Sequence, residues 1–141
     1  MKALLLPEWA KPFYPRLRER FPAVEFVEAV EPAEIERQIQ DAEVVFGYPS
    51  NPQFQAAESL KWVQTLDAGI EGFFDRVPAA RESPVIVTNA QGAGGPQIGE
   101  HAVAMILAFS RGLVEFARQK RERRWDQEYA LSVVQMAYGK T

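Results

Sequence analysis

The sequence predicts an α/β chain built on a doubly wound parallel sheet. Three observations carry that reading. Short apolar runs alternate with helix-like segments from the N-terminus through residue 90. Those runs lack polar alternation, as expected of strands covered on both faces. Several of them end in small or turn-forming residues, and ligands of such sheets sit beyond the carboxyl ends of the strands.

Each element has its own justification. Ala3 to Leu6 is a continuous apolar run stopped by Pro7, a buried strand. Trp9 to Arg20 is predicted mostly helical, with Leu17 and Phe21 facing inward and Pro12 and Pro15 near its first turn. Pro22 ends it. Val24 to Val27 is the second strand. Pro32 opens a second helix with Ile35 and Ile39 on one face. Val44-Val45-Phe46-Gly47 is the third strand, and a short helix is expected near Gln53 to Ser59 after the turn at Tyr48 to Pro52. Trp62 to Leu66 is the fourth strand. Asp67-Ala68-Gly69 is a tight connection, and Ile70 to Phe74 a short helix. Val85 to Thr88 is the fifth strand. Gly92 to Gly95 is a loop, and a long helix runs from Pro96 to about Arg123. Asp126 to Thr141 has no clear period. The pattern is of flavodoxin-like type, with a long C-terminal helix added. The organisation reads as 1–92 for the sheet domain and 93–141 for the helical remainder.

Composition narrows the functional classes. The 141 residues suffice for one ordinary domain, and 47% hydrophobic with 25% charged is globular. There is no cysteine, which excludes disulfides, thiolate metal sites and a cysteine nucleophile. A net charge of -3 and a pI near 5.3 disfavour nucleic acid as a partner. The apolar runs Ala3 to Leu6 and Ala102 to Phe109 are far too short for a membrane span. The expectation is a soluble, cytoplasmic protein with no membrane partner.

The motifs are modest. In Leu60 to Glu71 a buried strand runs into the turn Asp67-Ala68-Gly69, whose successive backbone N–H groups suit a carboxylate. On the residues alone a plain structural turn is the simpler reading, since most glycine turns bind nothing. The Gly92 to Gly95 loop fails the dinucleotide fingerprint, because the third spaced glycine would fall on Gln97. Gly139-Lys140-Thr141 fails a Walker A loop, because Val134 stands at the earlier glycine. His101 is the only histidine, and no nucleophile or second ligand neighbours it, so a structural or interface role fits it better than catalysis. Arg118 to Arg124 holds five basic residues against Glu122 and reads as a solvated helix end. Ala102 to Phe109 is apolar on every side of a helix, which calls for another domain or a second subunit around it.

Taken together, these residues resemble the D-isomer-specific 2-hydroxyacid dehydrogenase family. The likeness rests on Leu60-Lys61-Trp62-Val63-Gln64, Ala68-Gly69-Ile70, Val87-Thr88-Asn89-Ala90, Ile98-Gly99-Glu100-His101 and Ile106-Leu107-Ala108 with Arg111, joined by Trp125 and Gly139-Lys140-Thr141. It covers nearly the whole chain and is strongest from about Leu60 to Arg111. Gly95-Pro96-Gln97-Ile98 resembles the glyoxylate/hydroxypyruvate reductase-like branch.

The resemblance implies an oxidoreductase that moves hydride between NADH or NADPH and a small 2-oxo or D-2-hydroxy acid. It implies that backbone N–H groups of Ala68 and Gly69 hold the substrate carboxylate, and that Tyr48 and Pro49 wall the pocket. Gly94 stands where the family often has an asparagine. The family's catalytic arginine, glutamate and histidine would lie further on than Thr141. No catalytic residue is therefore assigned, no metal is expected, and the piece by itself is expected to be inactive. The cofactor, NAD or NADP, would be bound mainly by a Rossmann domain, on which the long helix would pack while supporting a homodimer. The alternative is a stand-alone flavodoxin-like binding or regulatory module that dimerises through that helix. A phosphoacceptor receiver is disfavoured, since Leu6-Pro7-Glu8 lacks paired acids. A flavin module is disfavoured for want of a phosphate loop after the first strand.

Overall fold

A computed structural model describes residues 1–6 and 8–139, with side chains left aside at residues 8–10. Expectations resting on Pro7, Lys140 and Thr141 lie outside the described residues. The chain divides into two compact units, Met1–Ala93 and Gly94–Thr141.

The first unit carries five parallel strands: β1 (Lys2–Leu5), β2 (Glu25–Glu28), β3 (Val44–Phe46), β4 (Trp62–Gln64) and β5 (Ile86–Thr88). Their order in the sheet is β2-β1-β3-β4-β5, the doubly wound order expected. The connecting helices are α1 (Tyr14–Arg20), α2 (Pro32–Gln38), α3 (Asn51–Ala56) and α4 (Glu71–Arg76). Short 3-10 segments at Glu8–Phe13 and Pro78–Arg81 were not expected. Pro12 sits inside the first of them, and Pro15 lies in the first turn of α1, where a missing N–H costs nothing.

Strand alternation sorts the core onto two faces. Leu4, Val45 and Val63 point to one face and pack with Ile39, Phe54, Phe73 and Val77 from the helices. That face is closed. On the other, Leu5 packs with Tyr14, and Leu17, Phe26 and Phe46 gather around them. Cover there stops short of β4 and β5. Trp62 is half-exposed and Ile86 is 63% exposed, so the expected burial of both faces holds only in part within this unit.

Two further expectations are corrected. Phe21 does not face inward but is 46% exposed. The α1 helix ends at Arg20, and the Phe21 backbone at φ -129 has left the helical period that would align it with Leu17. Tyr14 takes the buried place instead. Burial pushes its phenol up to about 12, and the nearby Glu28 carboxylate adds to that.

The long helix is likewise two helices in the second unit, α5 (Gly95–Ser110) and α6 (Leu113–Arg121). Gly112 adopts φ 65, a left-handed conformation that glycine alone takes without strain. A third helix, α7 (Gln127–Val133), starts at Asp126, whose side chain accepts the Tyr129 N–H. Sequence reading saw no period there. Gln119 is fully buried in this unit, and its side chain accepts the Asp126 N–H and donates to Glu115. Ile98, Val103, Ile106 and Phe109 of α5 are exposed. No helix of the described residues is long and apolar enough to cross a membrane.

Candidate functional site

The order of the sheet places its reversal between β1 and β3, and the residues after β3 open onto the carboxyl ends of the strands. Gly47 leaves β3 at φ 123, which an L side chain rarely adopts, and delivers Tyr48 to that end. Pro49 is buried behind it. Ser50 then caps α3 reciprocally. Its hydroxyl accepts the Gln53 N–H, and the Gln53 side chain accepts the Ser50 N–H. This capping box starts the helix two residues before the expected Gln53.

Tyr48 reaches across to the next strand end. Its hydroxyl accepts the Leu66 N–H at 3.0 Å, with the Asp67 carboxylate close enough to act on it. Burial pushes the phenol above its ordinary pKa, and the Asp67 carboxylate reinforces the shift. Tyr48 thus stays a neutral donor and acceptor at physiological pH. The Arg76 guanidinium lies over the other part of the side chain, 5.4 Å from the ring centroid.

The turn Asp67-Ala68-Gly69 is held from both sides. The Ala90 N–H donates to the Asp67 carbonyl at 2.9 Å. The Asn89 side-chain amide donates to the Ala68 carbonyl at 2.6 Å. Behind the turn, Thr65 is fully buried, and both its N–H and its hydroxyl donate to the Thr88 carbonyl. A chain of side-chain bonds follows, from the Trp62 indole to the Thr88 hydroxyl, on to Gln64, and from the Gln64 amide to the Thr65 carbonyl. Each link is 2.7 Å.

Ala68 and Gly69 are exposed, and among the described residues nothing accepts a hydrogen bond from either N–H. The next N–H, that of Ile70, already holds an anion. It donates to the Glu71 carboxylate at 3.0 Å. A Cβ at position 69 would lie 3.1 Å from that same carboxylate oxygen, so glycine leaves it room. The turn and the residue after it therefore present fixed donors suited to an acidic group, and one carboxylate of the chain itself, that of Glu71, uses the last of them, the Ile70 N–H.

The structure brings Tyr48 together with the Asp67–Gly69 turn. Asn89, Glu71 and Arg76 were not singled out in the sequence. Asn89 could have been found from the resemblance, since it falls in Val87-Thr88-Asn89-Ala90. Glu71 and Arg76 gave no such signal. His101 lies in α5, outside the unit that holds the turn. Among the described residues no three His, Asp or Glu side chains gather as a metal site.

Among the described residues, the glycine-rich loop after β5 does not fit the pyrophosphate of a nicotinamide dinucleotide. After β5 the loop carries Gly92, Gly94 and Gly95, but Gln97 replaces the third spaced glycine. Pro96 also removes a donor from the first turn of α5, where a pyrophosphate would need one.

No family model matches the chain. Among curated proteins it is 28% identical over 93 residues to the D-3-phosphoglycerate dehydrogenase of Archaeoglobus fulgidus, a match covering 66% of the chain and 16% of that enzyme. Among solved structures it is similar to a D-isomer-specific 2-hydroxyacid dehydrogenase family protein of Aeromonas salmonicida, with a TM-score of 0.73 at 26% identity, over 89% of the chain and 40% of that protein. It is also similar to the NADPH-dependent glyoxylate/hydroxypyruvate reductase of Sinorhizobium meliloti, with a TM-score of 0.68 at 25% identity, over 99% of the chain and 44% of the enzyme. The chain thus spans less than half the length of these relatives. In fold and in sequence its likeness is to the D-2-hydroxyacid dehydrogenases.

Proposed function

We propose that this chain grips the carboxylate of a small 2-oxo or D-2-hydroxy acid on behalf of an oxidoreductase that transfers hydride between NAD(P)H and that acid. The observation that carries the reading is the pair of free N–H groups at Ala68 and Gly69. They sit at the carboxyl end of a parallel strand, on a turn pinned by Asn89, Ala90 and Tyr48. Adjacent backbone donors on a fixed turn favour an anion without reorganising. Tyr48 and Pro49 form the wall beside them.

The likeness to the dehydrogenases supplies the reaction class. On this reading, the nucleotide and the group that moves the proton are supplied by residues other than those described here, as the resemblance to the dehydrogenases implies. The homodimer expected from α5 belongs to the same proposal. By itself the 141-residue chain should not oxidise NADH with pyruvate or glyoxylate.

The test is a titration of the isotopically labelled chain with pyruvate. The amides of Ala68 and Gly69 should shift, and Glu71→Gln, which weakens the internal competitor, should tighten binding. Shifts confined to other regions of the first unit would remove the turn from the site.

A further inference from the structure

Backbone pairing between β4 and β5 runs past the ends of both strands and stops at the turn. The last such bond goes from the Ala90 N–H to the Asp67 carbonyl, at 2.9 Å. One residue further on, no backbone N–H among the described residues reaches the Ala68 carbonyl. A side chain takes that place: the Asn89 amide nitrogen lies 2.6 Å from the carbonyl oxygen. The oxygen of the same amide accepts the Gln91 N–H at 3.4 Å. Turned over, the amide would set its own oxygen against the Ala68 carbonyl, so its donor stays on the turn.

Holding a carbonyl also aims the N–H of the next residue. A trans peptide is planar, and its C=O and N–H point in opposite directions. No peptide bond among the described residues is cis. The Asp67 carbonyl and the Ala68 N–H share one peptide, and the Ala68 carbonyl and the Gly69 N–H share the next. Both carbonyls are held by the segment that follows β5, so both N–H groups point away from it. The two donors owe this direction to different causes. That of Ala68 is aimed by a backbone contact, that of Gly69 by one side chain. Glycine has the freest backbone of any residue, so the direction of the Ala68–Gly69 peptide depends on the bond made to it. Accepting that bond also polarises the peptide and makes its N–H a better donor.

We propose that Asn89 is a positioning residue whose amide, by holding the Ala68 carbonyl, aims the Gly69 N–H at the incoming carboxylate. The proposal rests on the reading of Ala68 and Gly69 as the carboxylate grip. Asn89 stands on the side of the peptide opposite to the acid. It acts through the direction of the peptide and does not touch the ligand.

The test uses the labelled 141-residue chain, pyruvate as the probe, and the variants Asn89→Ala and Asn89→Asp. The first removes the donor without adding charge. The second keeps the shape of the side chain and the acceptor for Gln91, and it decides the matter if the first does not fold. Before any acid is added, the Ala68 carbonyl carbon should shift in each variant, and the Asp67 carbonyl carbon should move much less. At saturation with pyruvate, the Gly69 amide should lose most of its wild-type response while the Ala68 amide keeps its own. Affinity should fall about tenfold or more, the scale of one hydrogen bond to a charged group. Added charge or looser packing alone would weaken binding but leave the ratio of the two amide responses as it was. A wild-type ratio in the variants, or an unmoved Ala68 carbonyl carbon, would overturn the role of Asn89 and leave the carboxylate grip standing. No response at either amide of the wild-type chain would overturn the grip, and the role of Asn89 with it.

Discussion

Replacing Tyr48 with phenylalanine separates the two functions of that side chain. The ring stays under Arg76, but the hydroxyl that ties β3 to the end of β4 is lost. The Leu66 N–H then has no acceptor. Leu66 is half-buried, so water replaces the phenol only in part. An unsatisfied donor costs about 1–3 kcal/mol when fully buried, which puts this one near 1–2 kcal/mol. Asp67 is exposed, so removing the nearby hydroxyl costs its carboxylate little. Urea unfolding followed by circular dichroism should show the lower midpoint with an unchanged slope. Hydrogen exchange at Leu66 should accelerate about tenfold or more if the turn opens locally. An unchanged midpoint together with unchanged exchange at Leu66 would refute the reasoning, since the hydroxyl would then not be the group that holds the turn.

Two other perturbations address the second unit. Gly112→Ala should lower its thermal stability by about 1–2 kcal/mol, the cost of a left-handed backbone for a residue with a Cβ. The added methyl would also meet Val133 at 3.3 Å. A melting curve resolved by unit should show the loss there and nowhere else. Glu115 tests charge. The Arg118 hydrogen bond holds its carboxyl below the usual range, helped by Gln119. Its folded pKa is lowered, so its stabilising effect is present above the ordinary value of 4.5 and is lost as pH falls through the lower folded value. Acid titration of helicity should show α6 weakening in that window, and Glu115→Gln should flatten the curve.

Much of the sheet was legible in the residues, for a physical reason. Ala3 to Leu6, Val44 to Phe46 and Trp62 to Leu66 are short apolar runs between turn formers, and β1, β3 and β4 lie within one residue of their starts. Parallel strands need little else to be read. Breaks inside helices were harder. Gly112 lies within a stretch of otherwise helical residues, and a lone glycine is tolerated there as often as it ends a helix. Arg111 before it, at the C-cap of α5, was the available cue. Tyr14 was missed because its burial depends on Leu5 and Phe26, which the chain brings to it only after folding. At the candidate site, the Asp67–Gly69 turn is local and was found. Its restraints are not local: Asn89 lies 21 residues from Ala68, and Tyr48 lies 18 from Leu66. Such pairings exist only once β3, β4 and β5 are side by side.

The relay from Trp62 through Thr88 and Gln64 to the Thr65 carbonyl has a thermodynamic consequence for recognition. It links β4 and β5 by side chains as well as by their backbones, directly beneath the turn. Loops that order on binding spend conformational entropy at that moment, and affinity falls accordingly. A turn already fixed by its neighbours has spent that entropy during folding. For a turn that grips a carboxylate as proposed above, the same stiffness limits adaptation, so a bulky substituent next to that carboxylate would meet a receptor that does not yield, and size would become a criterion alongside charge.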